Sequence, residues 1–175
     1  ENGFAGHRLT LAGFADSDAE LDLVVAIDPT DTLLVAVEQT GGDDVRQADH
    51  LYRFEKPVGD GGCMILPHGS GYLIDANCPD ALPGTVINPR NGIGSRWSLP
   101  FFGLIRDAMS ICIVVEDWWD CAVAAVHEPG AVSALDITWM PSLGKLAYRR
   151  QMKIHCDAGM DHTAMAKLYR EQYAR

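Results

Sequence analysis

The stretch His155-Cys156-Asp157-Ala158-Gly159-Met160-Asp161-His162-Thr163-Ala164-Met165-Ala166-Lys167-Leu168-Tyr169-Arg170-Glu171-Gln172-Tyr173 decides the fold. It carries the one helical pattern in a chain that otherwise reads as strands and turns. Met165, Leu168, Gln172 and Tyr173 recur at helical spacing, Tyr169 widens the stripe, and Asp161 stands where an N-cap belongs. A strand-rich unit closing on one amphipathic helix reads as a β domain running into a connecting helix. Residues 1–160 are therefore expected to form an antiparallel β-sandwich, and residues 161–175 to begin a helix leading toward a following domain. The first residue, Glu1 rather than Met, fits the same expectation of a piece of a longer protein.

Working backward from the helix, strand signals alternate with turns. Leu9 to Ala15 is an expected first strand. Glu20 to Ile27 and Thr32 to Glu38 flank Asp28-Pro29-Thr30-Asp31, in which Pro presets φ and Asp bonds back to the backbone, so a hairpin is predicted. Both strands are apolar on two faces, which predicts interior strands covered on both sides. Further strands are expected at His50 to Phe54, Cys63 to Leu66, Gly71 to Ile74, Ala134 to Met140 and Ala147 to His155. Ser110 to Glu116 and Cys121 to Glu128 flank Asp117-Trp118-Trp119-Asp120 and read as a second hairpin. Residues 75–96, rich in Pro, Gly and Asn, read as a long irregular segment of the kind that is functional or packed on a neighbour.

Composition narrows the classes of function. The 175 residues suffice for one domain with a real core. The net charge of −10 repels phosphate backbones and anionic lipid, so neither nucleic acid nor membrane is expected as a partner. The basic cluster at Arg149-Arg150, with Lys145 and Lys153 nearby, reads as a solvated strand face. No apolar run reaches membrane-spanning length. The five cysteines, Cys63, Cys78, Cys112, Cys121 and Cys156, are odd in number and several sit in apolar runs, as small buried hydrophobes do. In the expected second hairpin Cys112 and Cys121 fall four residues out of register, about 13 Å at ~3.3 Å per residue, so they are not expected to bridge.

The motifs that could carry chemistry are thin. Glu116, Asp117 and Asp120 offer carboxylates, and a glycosidase needs two of them about 5–10 Å apart across a sugar; acidic residues at a hairpin tip are ordinarily solvated turn formers, and no catalytic residue is assigned. Trp118 and Trp119 at the same tip are less ordinary, because two large rings at a turn imply packing or a stacking platform. His155, Cys156, Asp157, Asp161 and His162 have zinc-ligand types, but adjacent His and Cys on a strand face opposite ways and no ligand motif is present, so no metal is expected. Gly69-Ser70-Gly71 lacks the flanks of a serine elbow, and Gly92-Ile93-Gly94 lacks the third glycine of a dinucleotide loop, so no cofactor is expected either.

Pro67-His68-Gly69-Ser70-Gly71-Tyr72-Leu73-Ile74, Trp97-Ser98-Leu99-Pro100-Phe101-Phe102-Gly103, the segment ending in Glu116-Asp117 and the exit through Met165-Ala166-Lys167-Leu168-Tyr169-Arg170 together resemble the galactose-mutarotase-like β-supersandwich that precedes a (β/α)8 barrel in α-N-acetylgalactosaminidase-like glycoside hydrolases. The resemblance spans residues 20–175. It implies that the catalytic carboxylates belong to the barrel, and that this chain is a non-catalytic domain bracing that barrel, with carbohydrate and the following catalytic domain as partners. The chain is short for a complete supersandwich, so earlier strands are expected before it. Trp97, Trp118, Trp119, Asp117 and His68 are the candidate ligand-binding residues. The competing reading is a free-standing carbohydrate-binding or adhesion module built on the same tryptophans. The helix stripe, together with the 75–96 segment or the Trp118-Trp119 tip, is expected to lie against the following domain.

Overall fold

In the Asp28-Pro29-Thr30-Asp31 turn, the Asp28 carboxylate accepts from the Thr30 and Thr32 amides at 2.8 and 2.9 Å, and the Asp31 amide donates to the Asp28 carbonyl at 3.1 Å. Asp31 takes the left-handed conformation, φ 59°, that closes such a loop. The strands it joins are β2 (Glu20–Ile27) and β3 (Leu33–Gly41). The computed structural model describes residues 3–14, 17–42, 52–56, 62–66, 71–75, 85–87, 99–106, 109–116, 118–126, 133–142 and 144–173. The other strands within these are β1 (Ala5–Leu11), β4 (Tyr52–Lys56), β5 (Cys63–Leu66), β6 (Tyr72–Asp75), β7 (Thr85–Ile87), β8 (Phe101–Ile105), β9 (Ser110–Val115), β10 (Cys121–Val126), β11 (Ser133–Trp139) and β12 (Arg150–Asp157), and the helix is α1 (His162–Gln172).

The strands form two antiparallel sheets. The larger runs β1-β2-β3-β12-β9-β8-β5-β6 and the smaller β4-β11-β10-β7. Residues alternating along each strand separate two apolar layers. Val35, Val37, Met64, Phe102, Leu104, Ile113, Met152 and Ile154 of the large sheet meet Val123, Leu135, Ile137 and Trp139 of the small one in the main core. The opposite face of the large sheet carries Ile65, Phe101, Cys112 and Val114, and α1 lies on it. The expectation of a mainly β, antiparallel sandwich closing on one helix holds. Leu34 to Val37 of β3 are buried on both faces, as its doubly apolar pattern predicts.

Several expectations need correcting. The first strand lies earlier than Leu9–Ala15, because its pairing runs Ala5↔Ile27 to Leu11↔Leu21. Strand β8 and the short β7, within the segment expected to be irregular, went unread. Strands β9 and β10 do not form the expected hairpin. Both edges of β9 are already taken, by β12 and β8, so β10 has no edge to pair with there and joins the small sheet instead. The Val115 amide donates to the Pro100 carbonyl and the Glu116 amide to the Gln151 carbonyl, which holds the end of β9 in the large sheet. Cys112 and Cys121 thus lie in different sheets. Both are free thiols, as are Cys63 and Cys156, while Cys78 falls outside the described residues. Burial pushes the Cys112 thiol up to about 12 and that of Cys121 further still.

Of the basic cluster expected on a solvated face, Lys145 is exposed and Arg149 and Lys153 are half-buried, but Arg150 is not on that face. Arg150 has no exposed surface, because β12 alternates and Arg150 pairs with Val37 on the inner side. The chain's own sheet covers the helix stripe only in part, for Leu168, Tyr169 and Tyr173 are half-buried and Gln172 is exposed. Met165 is fully buried against the chain's own sheet, and a Cβ on Gly103 would come within 2.4 Å of its Sδ, so a glycine makes the notch. Phe101 and Tyr169 stack at 5.6 Å. Asp161 caps the helix by accepting from the Ala164 amide at 2.7 Å. An 11-residue helix is marginal alone, and the burial of Met165, worth roughly 1.5–3 kcal/mol, is what holds it.

Candidate functional site

The passage from β9 to β10 is the corner where the chain leaves one sheet for the other. Its Trp118–Asp120 segment forms a 3₁₀ turn that directs three consecutive side chains to three places. Trp118 packs partly into the main core. Trp119 stacks on it, ring centroids 4.1 Å apart and planes 24° apart, and stays 63% exposed. Asp120 turns inward, where its Oδ2 accepts from Arg150 Nη2 at 2.8 Å, from the Tyr148 hydroxyl at 2.7 Å and from the Ser142 hydroxyl. Arg150 Nη2 also donates to the Met140 carbonyl at 3.3 Å, and its guanidinium lies 3.4 Å from the centre of the Tyr148 ring. The corner is therefore tied to both sheets. Asp120, expected to be a solvated turn former, is a buried anchor whose partner Arg150 lies 30 residues away in sequence.

On the outer face, a groove of about 400 Å³ runs between this corner and the helix, with Trp118, Glu116, Lys153, Tyr169, Gln172 and Tyr173 among its walls. Glu116 pairs with Lys153 Nζ at 2.7 Å and accepts from the Gln151 side-chain amide. Lys153 Nζ lies 5.2 Å from the centre of the Tyr173 ring, and Tyr173 stacks with Tyr169 at 6.1 Å. The Tyr173 hydroxyl is fixed by a 2.7 Å hydrogen bond with His155 Nε2, whose Nδ1 lies 3.3 Å from the Thr32 hydroxyl. Burial pulls the His155 pKa below its ordinary value, opposed by Asp28 and reinforced by Lys153. Burial, with Glu116 next, pushes the Tyr173 phenol far above its usual range. Tyr173 thus stays protonated, and the groove's polar wall consists of hydroxyl, amide and one matched ion pair. Beyond Gln151 the same face continues into a second trough of about 320 Å³, with Arg8 and Arg149 over a floor of Val24, Ala26 and Leu34.

The structure brings Trp118 and Trp119 together at the tip. Asp117, Trp97 and His68 lie outside the described residues. Glu116 and Asp120 part company, one on the groove wall and one in the interior, and Glu116 is the one carboxylate among the described residues lining the groove. Among the described residues no three His, Cys, Asp or Glu side chains converge as metal ligands. Sequence reasoning missed Lys153, Tyr173 and Gln172 as neighbours of the tip. Alternation with the apolar Met152 and Ile154 was the available signal that Lys153 faces the helix.

No family model and no curated relative matches the sequence. Solved structures do match. The fold is similar to that within α-N-acetylgalactosaminidase NagBb from Bifidobacterium bifidum in its GalNAc complex, with TM-score 0.82 and 22% identity over 98% of this chain and 28% of that one. The Gal-NHAc-DNJ complex of the same enzyme gives TM-score 0.79 at 20% identity, covering 98% and 29%, and the ligand-free form 0.74 at 20%, covering 97% and 30%. The chain therefore spans less than a third of the length of the enzyme it resembles. The antiparallel β-sandwich expected from the sequence is present, and its fold is similar to that of one part of NagBb.

Proposed function

We propose that this chain is a non-catalytic β-sandwich domain of a glycoside hydrolase, with residues 1–160 as the sandwich and 161–175 as the connecting helix. It braces a catalytic domain and lends aromatic surface to carbohydrate binding. The observation that carries the reading is the likeness to NagBb over 98% of this chain but only 28% of that enzyme. Two features of the chain support it. Trp119 stands 63% exposed on a corner anchored by a buried ion pair, which is costly unless something covers the ring. Tyr173, at the end of α1, lines the same groove as Trp118, so the chain beyond the helix starts beside the tip.

The test compares this chain with a version of the parent extended past residue 175. Acrylamide quenching of Trp119, taken as the difference between each protein and its Trp119→Phe variant, is expected to fall several-fold in the longer chain. Equal quenching would overturn the bracing role. The isolated chain is expected to hydrolyse no aryl glycoside; turnover abolished by Glu116→Gln would overturn the non-catalytic reading.

A further inference from the structure

We propose that the groove between the Trp118 corner and helix α1 is a subsite for a neutral pyranose, held by the Glu116–Lys153 pair and Gln172 against the rings of Trp118 and Tyr173. The proposal rests on the carbohydrate part of the preceding reading and deepens it by moving the contact from the exposed Trp119 ring into the groove. A volume of about 400 Å³ is in the range of small-ligand sites.

The charges select the ligand. Glu116 and Lys153 lie 2.7 Å apart and are each about a quarter exposed, 25% and 28%, so they balance each other yet remain reachable. An anion entering the groove would meet Lys153 only by facing Glu116, and a cation would meet the converse. A vicinal diol meets both at once, one hydroxyl accepting from Lys153 Nζ and its neighbour donating to a Glu116 oxygen. Such a pair of hydroxyls replaces the water that each ion would otherwise hold. Gln172 is exposed and offers an amide donor and acceptor from the helix side. Trp118 and Tyr173, each already stacked on a neighbouring ring, line the groove as apolar wall beside the C–H groups of a pyranose. The Tyr173 ring is set in place by His155 through the 2.7 Å hydrogen bond, so this wall is preorganised rather than recruited, which spares the binding step some loss of side-chain freedom.

The experiment is a ¹H–¹⁵N titration of the full chain with methyl galactoside, N-acetylgalactosamine, galacturonate and galactosamine, reading the Trp118 and Trp119 indole and the Gln172 side-chain signals. The two neutral sugars are expected to shift Trp118 and Gln172 with a Kd in the millimolar range. The anionic and cationic sugars should bind at least tenfold more weakly. Lys153→Met and Glu116→Gln should each weaken the neutral sugars about tenfold, with thermal unfolding checked so that a folding defect is not mistaken for lost binding. Shifts confined to Trp119, or galacturonate binding as tightly as the neutral sugars, would overturn the groove as the site. Absence of any shift at 100-fold excess over a millimolar Kd would overturn saccharide binding here and leave the bracing role to the quenching comparison, which involves no sugar.

Discussion

Replacing Asp120 by Ala removes a carboxylate from a guanidinium that has no exposed surface. Asp120 Oδ2 accepts from Arg150, Tyr148 and Ser142 at once, and the two Arg150 contacts at Asp120 and Met140 bridge the large sheet to the end of the small one. Breaking a buried pair by deleting one partner costs about 3–5 kcal/mol, because the remaining charge has already left water. For a chain of this size each kcal/mol moves the midpoint by about 2–4 °C, so Asp120→Ala should lower Tm by roughly 6–20 °C. Urea unfolding should show a lower midpoint with an unchanged slope. The double variant Asp120→Leu with Arg150→Met removes both charges and should recover much of the loss, giving a coupling energy of about 2 kcal/mol or more in a double-mutant cycle. A drop below about 1 kcal/mol for Asp120→Ala, or additivity of the two single variants, would refute the reasoning that this pair clamps the sheets.

Met165→Ala should destabilise the chain by about 2–5 kcal/mol and accelerate hydrogen exchange of the α1 amides ahead of those in β9 and β12; unchanged protection in α1 would show that Met165 is not its anchor. Because burial depresses the His155 pKa in the folded chain, the unfolded chain binds the proton at higher pH; its contribution is whole above about pH 6.5 and is lost as pH falls through the folded value. Urea midpoints should therefore decline as pH drops below about 6.5, and His155→Gln should flatten that slope.

What the sequence made legible was local. The Asp28-Pro29 turn, the doubly apolar β3, the Asp161 cap and the helix stripe all follow from residues within a few positions of one another. The misread hairpin was also local logic, since two apolar runs around Asp117-Trp118-Trp119-Asp120 carry every near-neighbour signal of strand pairing. Its failure came from β12, whose Met152 pairs with Val115 and whose Lys153 pairs with Val114, contacts that no window around the turn contains. Arg150 was misjudged for the same reason, as its neighbour Arg149 and the partly exposed Lys153 suggest a wet face while the register places it inside. The groove residues were each visible as types but not as a set, because Glu116 and Gln151 meet across 35 residues of sequence.

The β9–β10 corner links architecture to function. Once β8 and β12 occupy both edges of β9, the chain must leave the sheet, and the 3₁₀ turn that takes it across half-buries one tryptophan, exposes the next and buries the carboxylate that follows. A hairpin tip at the same place would have left all three to solvent and would have given the aromatic pair no fixed orientation. The clamp of Asp120 on Arg150 fixes the corner, and the corner sets the position of Trp118 against the helix-borne Tyr173. Since the helix is itself seated by Met165 in the Gly103 notch, both walls of the groove are defined by interior packing. A perturbation in either interior contact should therefore be felt at the groove without touching a groove residue, whereas substitutions at Lys153 or Gln172 should change the groove and leave the fold intact.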